Sequence, residues 1–324
     1  SGSLSSWLNP SFEHLCDPFL MKGMQRAVER LRLALQQGQK LRIVTDYDVD
    51  GTTSSLILQS LCRLLSPSAS VDYHIPDRFG EGYGFSVLAA QKAAEDGIDL
   101  ILTADIGVRD HEAVSAAASL GVDVIICDHH LPAGESVPTD AFVVLCPPQK
   151  GCDYPNADLA ACGVSLKLAQ AMLSTSTKSQ AYQHKILKSM MKMAAIGTVC
   201  DVVSLASPEN RAIVSIGLDQ LRKPMMTHSC GLQALMLVSG IEEGWGSSDD
   251  IGYQLGPRIN AAGRLHLATD VVELFQSKSL ANARLKAKEI DHFNLQRREI
   301  ETRLVEEALA SIPHPIPDFI VVSG

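Results

Sequence analysis

The sequence has no C-x-x-C pair, no long apolar run and no excess of basic residues, and each absence removes a class of function. Its eight cysteines (Cys16, Cys62, Cys127, Cys146, Cys152, Cys162, Cys200 and Cys230) are scattered, which argues against a zinc ribbon or a redox motif. Several lie inside apolar runs, where a free thiol behaves as a small hydrophobe, so the expectation is buried, reduced cysteine in a cytosolic protein. Nothing approaches the ~18 consecutive apolar residues of a membrane span. The first stretch is polar and lacks a basic flank followed by an apolar segment, so no signal peptide is expected. The expected location is cytoplasmic, or a nucleoid or organellar compartment, without membrane contact. A net charge of −9 excludes a protein coated in basic surface. Nucleic acid would then need a local basic path, or metals that offset the acids; charge alone favours a small-molecule enzyme. No internal repeat or low-complexity tract is present.

What is there is length and order. The 324 residues, 46% hydrophobic and 20% charged, suit a soluble globular chain of two domains. Residues 1–150 alternate strand-like and helix-like segments, the signature of a parallel sheet covered by helices. Strands are expected at 41–45, 71–75, 100–104, 122–127 and 141–145, with helices at 52–65, 86–95 and 111–119. The strands are continuously apolar, which implies burial on both faces. From 159 to 221 the pattern is mostly helical, broken by a polar stretch at 174–179. Residues 244–250 read as a loop. A Pro- and Gly-free segment, 279–312, reads as one long helix with Ser279 as N-cap. Pro313-His314-Pro315-Ile316-Pro317 ends it, and 319–322 looks like the first strand of a further domain.

Four acidic clusters adjoin apolar runs. Arg42-Ile43-Val44-Thr45 leads into Asp46-Tyr47-Asp48-Val49-Asp50-Gly51, and Leu100–Ala104 leads into Asp105. Val124-Ile125-Ile126-Cys127 leads into Asp128-His129-His130, and Ile196-Gly197-Thr198-Val199-Cys200 into Asp201. In parallel sheets, ligands collect beyond the carboxyl ends of the strands, where most of these residues fall. Carboxylates and imidazoles gathered there suit hard divalent cations, and two such cations side by side hydrolyse phosphoesters. Alternate residues of the first cluster point the same way in extended chain, and three like charges so close need cations to compensate them. A calcium loop fails, because its position-twelve Glu would fall at Ile57. Other roles stay open at this level. Asp50 could cap a helix, with Gly51 allowing a tight turn and Thr52-Thr53 opening the helix. Asp105 could be a turn residue, and Asp201 could pair with an arginine.

Asp-Tyr-Asp-Val-Asp-Gly, Thr-Ala-Asp-Ile-Gly, Asp-His-His-Leu-Pro and Gly-Thr-Val-Cys-Asp-Val-Val resemble the four motifs of the DHH phosphoesterase superfamily. Further stretches resemble its RecJ branch, the single-strand-specific 5′→3′ DNA exonucleases. They are Asp17–Lys22, Ile75–Gly84, Glu209-Asn210-Arg211 and Gly256-Pro257-Arg258-Ile259-Asn260-Ala261-Ala262-Gly263-Arg264. The likeness covers nearly the whole chain. It implies a helical lead-in at 1–40, a phosphoesterase domain at 41–221, an extension at 222–278, a connector helix at 279–312 and the start of another domain at 313–324.

The resemblance also assigns roles. Asp48, Asp50, Asp105, His129 and Asp201 become ligands of two Mn²⁺ or Mg²⁺ ions, with Asp105 bridging. His130 faces the scissile phosphate, and Asp46 orients the ligands or binds directly. Arg78, Arg258 and Arg264 are the phosphate clamps, since guanidinium binds phosphate bidentately and stays charged. By similarity Arg78 and Arg258 hold the strand near its 5′ end; Tyr83, independently of the resemblance, offers a ring on which a base can stack, with packing as an equal alternative. Structural salt bridges and plain packing are the rival roles for these residues. Arg284, Lys286, Lys288, Arg297 and Arg298 on the long helix offer a basic path, or a solvated face. The implied partner is single-stranded DNA; a helicase or single-strand-binding protein is a further partner class that no residue specifies.

Two departures stand out. Val44-Thr45 occupies the place where many members carry His-Gly, and the family's Gly-rich, His-containing substrate domain does not follow Gly324. The expectation is therefore a catalytic core belonging to a longer protein. One rival reading is a hydrolase of short oligonucleotides, cyclic dinucleotides or pyrophosphate, against which the stretch 256–264 weighs. Another is a catalytically silent replication or repair scaffold, for which several uncompensated carboxylates would have no use.

Overall fold

Five segments pair into one parallel sheet: β1 (Leu41–Thr45), β2 (Val71–His74), β3 (Leu100–Ala104), β4 (Asp123–Cys127) and β5 (Val143–Leu145). The structure is a computed structural model that describes residues 7–77, 80–241, 246–312 and 319–321. Helices α1 (Met24–Gln37), α2 (Val49–Leu65), α3 (Val87–Glu95) and α4 (His111–Ser119) alternate with the strands. Three more, α5 (Ala161–Ser174), α6 (Gln180–Cys200) and α7 (Pro208–Leu221), follow the sheet.

The strand order is β2-β1-β3-β4-β5. The chain moves outward from β1 to β2, then returns past β1 to β3, so its connections diverge above the ends of β1 and β3 and leave a crevice there. The register fixes what lines it. Thr45 pairs with Ala104 and Ala104 with Cys127, so the next residues, Asp46, Asp105 and Asp128, emerge side by side.

Alternation along each strand sends side chains to opposite faces. Ile43, Leu102, Ile125 and Leu145 pack under α1, α2 and α5, whereas Ile101, Val124, Ile126 and Val144 pack under α3 and α4. Each such fully buried side chain contributes about 1.5–3 kcal/mol. Both faces are covered along β3, β4 and β5, as the apolar strands predict; β2, Val-Asp-Tyr-His at the sheet edge, departs from that expectation and has no buried residue.

Beyond α7 lie α8 (Cys230–Val238), a π-helical turn (Ile251–Leu255), α9 (Gly256–Leu265), α10 (Thr269–Gln276) and α11 (Leu280–Ala310). They share a second core of Leu232, Leu235, Ile259, Val271, Leu274 and Ile290, which reaches Ile196 of α6. The Ser279 hydroxyl caps α11 by accepting from the Asn282 amide at 3.2 Å. Beyond Asn294, α11 has no buried residue. It leaves the body of the protein as a single projecting helix.

Several boundaries shift for local reasons. α2 begins at Val49 rather than Thr52 because the Asp48 carboxylate caps it, accepting from the Gly51 amide at 3.0 Å. Within the stretch read as a loop, Ser248–Asp250 forms one helical turn, closed by a reciprocal cap between Ser247 and Asp250. Phe319–Val321 is not a strand, and Val322 lies outside the described residues, as do 313–317. All eight cysteines are free. Among the described residues, no helix is long and apolar enough to cross a membrane.

Candidate metal centre

The crevice above β1 and β3 gathers the acidic clusters into one place. Three overlapping groups place their ligand atoms within 4.8 Å of one another: Asp46–Asp48–Asp105, Asp105–His129–His130 and Asp50–His129–Asp201. Asp105 belongs to two of them and His129 to two, so these residues join the halves. All seven side chains named from the sequence as catalytic or ligating groups (Asp46, Asp48, Asp50, Asp105, His129, His130 and Asp201) meet here.

Each arrives by a different local device. Asp46 leaves β1 and packs so closely on α2 that a Cβ at Gly51 would collide with its backbone. Gly51 is thus needed for close approach within a helix, not for a turn. Asp48 caps α2 from the outside. Asp50, the second residue of α2, does not cap its own helix; it reaches the start of α5 and accepts from the Ala161 amide at 2.6 Å and the Cys162 amide at 2.8 Å. The positive end of a helix therefore steadies a buried carboxylate. Asp105 extends the ladder through its amide to the Cys127 carbonyl (3.1 Å), then turns with φ +65°. Non-glycine residues seldom adopt that conformation, which costs about 1–3 kcal/mol and concentrates at functional sites. Asp201 ends α6, and the next residue, Val202, also has positive φ, +59°.

His129 Nε2 lies 3.3 Å from Asp105 and 3.9 Å from Asp50, and its Nδ1 is 3.7 Å from Asp201. That buried Nε2 makes no hydrogen bond. His130 is held differently: its Nδ1 lies 2.8 Å from Asp128 Oδ1. Asp128 is itself fixed by the amides of Val108 (3.0 Å), His129 (2.7 Å) and His130 (3.1 Å). The Asp-His-His motif contains Asp128 without marking a role for it; its geometry makes it the group that orients the His130 ring.

The electrostatics separate these carboxylates. Burial raises Asp50 above the ordinary carboxylate range, and burial with the neighbouring Asp50 and Asp48 raises Asp105 well above it. Burial, then Asp50 and Asp48, push Asp201 up to about 7. At Asp128 burial acts upward too, but the His130 ring and backbone amides outweigh it and the carboxyl sits below its usual value. The Asp128 hydrogen bond in turn raises His130. Among the described residues, no lysine or arginine pairs with Asp48, Asp50, Asp105 or Asp201. A dense set of oxygen and imidazole donors without its own cation fits hard divalent metal.

The residues named as substrate contacts divide. Arg78 lies outside the described residues. Tyr83 is 61% exposed at the rim, its ring edge-on to Tyr47 with centroids 6.3 Å apart. Burial, then Asp46 and Asp105, raise its hydroxyl pKa, which marks how near the acids are. Arg258 and Arg264 both lie on α9 but face apart. Arg258 bonds Asp291 of α11 at 2.8 Å and the Gln254 carbonyl at 2.8 Å, the geometry of its rival role as a structural salt bridge. Arg264 lines a cleft of about 430 Å³ beside Cys200 and Val202, next to Asp201. Asn260, Tyr253 and Arg297 line the same cleft. α9 is stitched to the first cluster, since a Cβ at Gly263 would lie 2.5 Å from the Tyr47 carbonyl. Tyr253, 79% exposed, was not singled out from the sequence; its place just before Gly256 was the available signal.

Residues 40–198 match the DHH family, N-terminal domain. The single-stranded-DNA-specific exonuclease RecJ of Bacillus subtilis (strain 168) is 40% identical over 297 residues, which are 91% of this chain and 35% of that protein. The RecJ of Escherichia coli (strain K12) is 36% identical over 89% of this chain and 50% of that protein. The chain thus spans a third to a half of the length of these curated relatives. The crystal structure of an exonuclease RecJ bound to manganese superposes with a TM-score of 0.79 at 29% identity, covering 90% of this chain and 71% of that one. Residues 40–198 thus carry a DHH-family domain, and by motif, sequence and fold the chain is RecJ-like over most of its length.

Proposed function

We propose that the chain is the metal-bearing core of an exonuclease that hydrolyses phosphodiester bonds at the 5′ end of single-stranded DNA. One observation carries the chemistry: carboxylates and an unpartnered imidazole nitrogen converge in a buried crevice, and among the described residues no lysine or arginine balances Asp48, Asp50, Asp105 and Asp201. Asp48, Asp50, Asp105, His129 and Asp201 would hold two divalent cations, Mn²⁺ or Mg²⁺, with Asp105 shared and Asp46 in support. When bound, such ions acidify water for attack and offset the charge on the phosphoryl oxygens.

The remaining roles belong to the chain itself. Asp128 fixes Nδ1 of His130 and favours its protonated form, leaving Nε2 to donate a proton to the leaving oxygen. Arg264 makes no hydrogen bond or ion pair among the described residues, so its guanidinium is free for a phosphate. Arg258 would have to exchange Asp291 for phosphate. Tyr83 and Tyr253 present rings on which bases can stack without regard to sequence. The 5′ polarity rests on the RecJ resemblance, and the relatives' stated specificity supports single-stranded DNA. The same reading makes 41–221 the phosphoesterase domain, 222–278 its extension and 279–312 the connector.

The test uses single-stranded DNA labelled at either end, with Mn²⁺, comparing the chain with Asp105→Ala. Early mononucleotide release from the 5′ label, reduced at least about a thousandfold by the substitution, is expected; this equals about 4 kcal/mol of barrier. Early release from the 3′ label, or equal cleavage by both proteins, would refute the reading.

A further inference from the structure

Outside the metal centre lies a buried polar network that no catalytic role uses. Glu209, 1% exposed, stands at the start of α7 and accepts from Lys167 Nζ (2.9 Å), the Tyr154 hydroxyl (2.8 Å), the Cys16 amide (2.9 Å) and Asn156 Nδ2 (3.2 Å). Asn156 also donates to Asn210 Oδ1 at 2.9 Å, and this sets which way the fully buried Asn210 amide faces. Asn210 Nδ2 then donates to two carbonyls at once, Asp158 at 2.7 Å and Ser204 at 2.9 Å.

Those two carbonyls sit on the segments that deliver two carboxylates. Asp158 is three residues before Ala161, whose amide, with that of Cys162, holds Asp50. Ser204 is three residues after Asp201, across the left-handed Val202. Val202 is 85% exposed, so its own side chain does little to hold that unfavourable turn. Its amide bonds the Val199 carbonyl at 3.3 Å and Val203 packs on the core, and the side-chain hydrogen bond that reaches the turn's far end is the one from Asn210 to Ser204. One side-chain amide therefore ties the Asp50 anchor to the Asp201 turn, and those two carboxylates share His129 in one ligand group.

We infer that Asn210 is a positioning residue that sets the Asp50–His129–Asp201 half of the centre, with Glu209, Lys167 and Asn156 fixing its orientation. This rests on the metal reading above. A partner of metal ligands at this remove commonly alters metal affinity about 10–100-fold. A residue that only stabilises the fold would lower the unfolding temperature and leave the affinity of the folded protein unchanged.

The test titrates Mn²⁺ into the metal-free 324-residue chain and into Asn210→Leu, which keeps the shape but loses both donors, with the metal-free melting temperature measured alongside. One of two Mn²⁺ sites weakened about 10–100-fold, the other unchanged, is the expected result. Asn156→Ser, which keeps Asn210 but removes its orienting donor, is expected to weaken the same site about threefold or more, and it decides the matter if Asn210→Leu does not fold. Unchanged affinity at both sites with a lowered melting temperature would overturn the positioning role alone. Failure of the unaltered chain to take up Mn²⁺ would overturn the metal reading and this inference with it.

Discussion

Two groups of charged side chains are taken out of water here, and they meet that cost in opposite ways. Around Glu209 the negative charge has its own ammonium, Lys167, and further donors from Tyr154, Asn156 and the Cys16 backbone. Around Asp105, among the described residues, Asp48, Asp50 and Asp201 gather with imidazoles and no lysine or arginine partner, and two of the residues that shape the site, Asp105 and Val202, have unfavourable backbone. A closed network of the first kind fixes geometry. An open one of the second kind raises carboxylate pKa values and holds a place for cations. The contrast separates structural from functional burial without reference to any relative.

Removing one partner should break the closed network most severely. Lys167→Met leaves Glu209 buried without its ammonium and should destabilise the fold by about 3–5 kcal/mol, read from urea unfolding of the metal-free protein. The open cluster should respond with the opposite sign. Asp105→Asn tolerates the left-handed backbone and removes one repelling charge, so it should stabilise the metal-free fold, by about 1 kcal/mol. Equal losses in the two variants would erase the distinction drawn here.

Between these in size lies a comparison within α9. Arg264→Ala should weaken single-stranded DNA binding about tenfold, reduce its salt dependence by about one counterion and leave the melting temperature in place. Arg258→Ala should instead lower the melting temperature, because Asp291 loses its partner. A reversed pattern would assign the phosphate contact to Arg258.

The pH response sharpens the contrast further. Asp50, Asp105 and Asp201 hold protons more tightly folded than unfolded, so the native state binds more protons across the window from 3.8 to about 7 set by Asp201. Stability then falls as pH rises through that window. His130, also raised, acts in the same direction, losing its contribution as pH passes its folded value. The melting temperature of metal-free protein should therefore drop between pH 5 and pH 8, and saturating Mn²⁺ should remove most of the drop. A melting temperature that climbs over that range would contradict the raised carboxylates.

How much of this was legible in the sequence depends on the range of the interaction. β1 and β3 match their expected bounds, and the acids at their ends fall together, because apolar runs and strand order are local signals that the parallel register turns into proximity. From local pattern alone, Asp50 fits a cap of its own helix as well as it fits a metal ligand. Its actual hold on the Ala161 and Cys162 amides joins residues more than a hundred apart, which no local pattern encodes. Asn210 stood in a recognisable stretch, yet its two acceptors belong to other segments. Arg258 and Arg264 look equivalent in one motif, but six residues on a helix turn about 240°, so one meets α11 and the other the cleft. Sequence supplied the candidates; the helix phase separated them.

The most direct measurement is the number of Mn²⁺ ions taken up by the metal-free chain at pH 7.5, by equilibrium dialysis, beside Asp105→Asn. The account predicts two per chain, and loss of at least one when the shared carboxylate is neutralised. No uptake by the unaltered chain, with its fold intact, would mean that the open acidic cluster is not a metal centre.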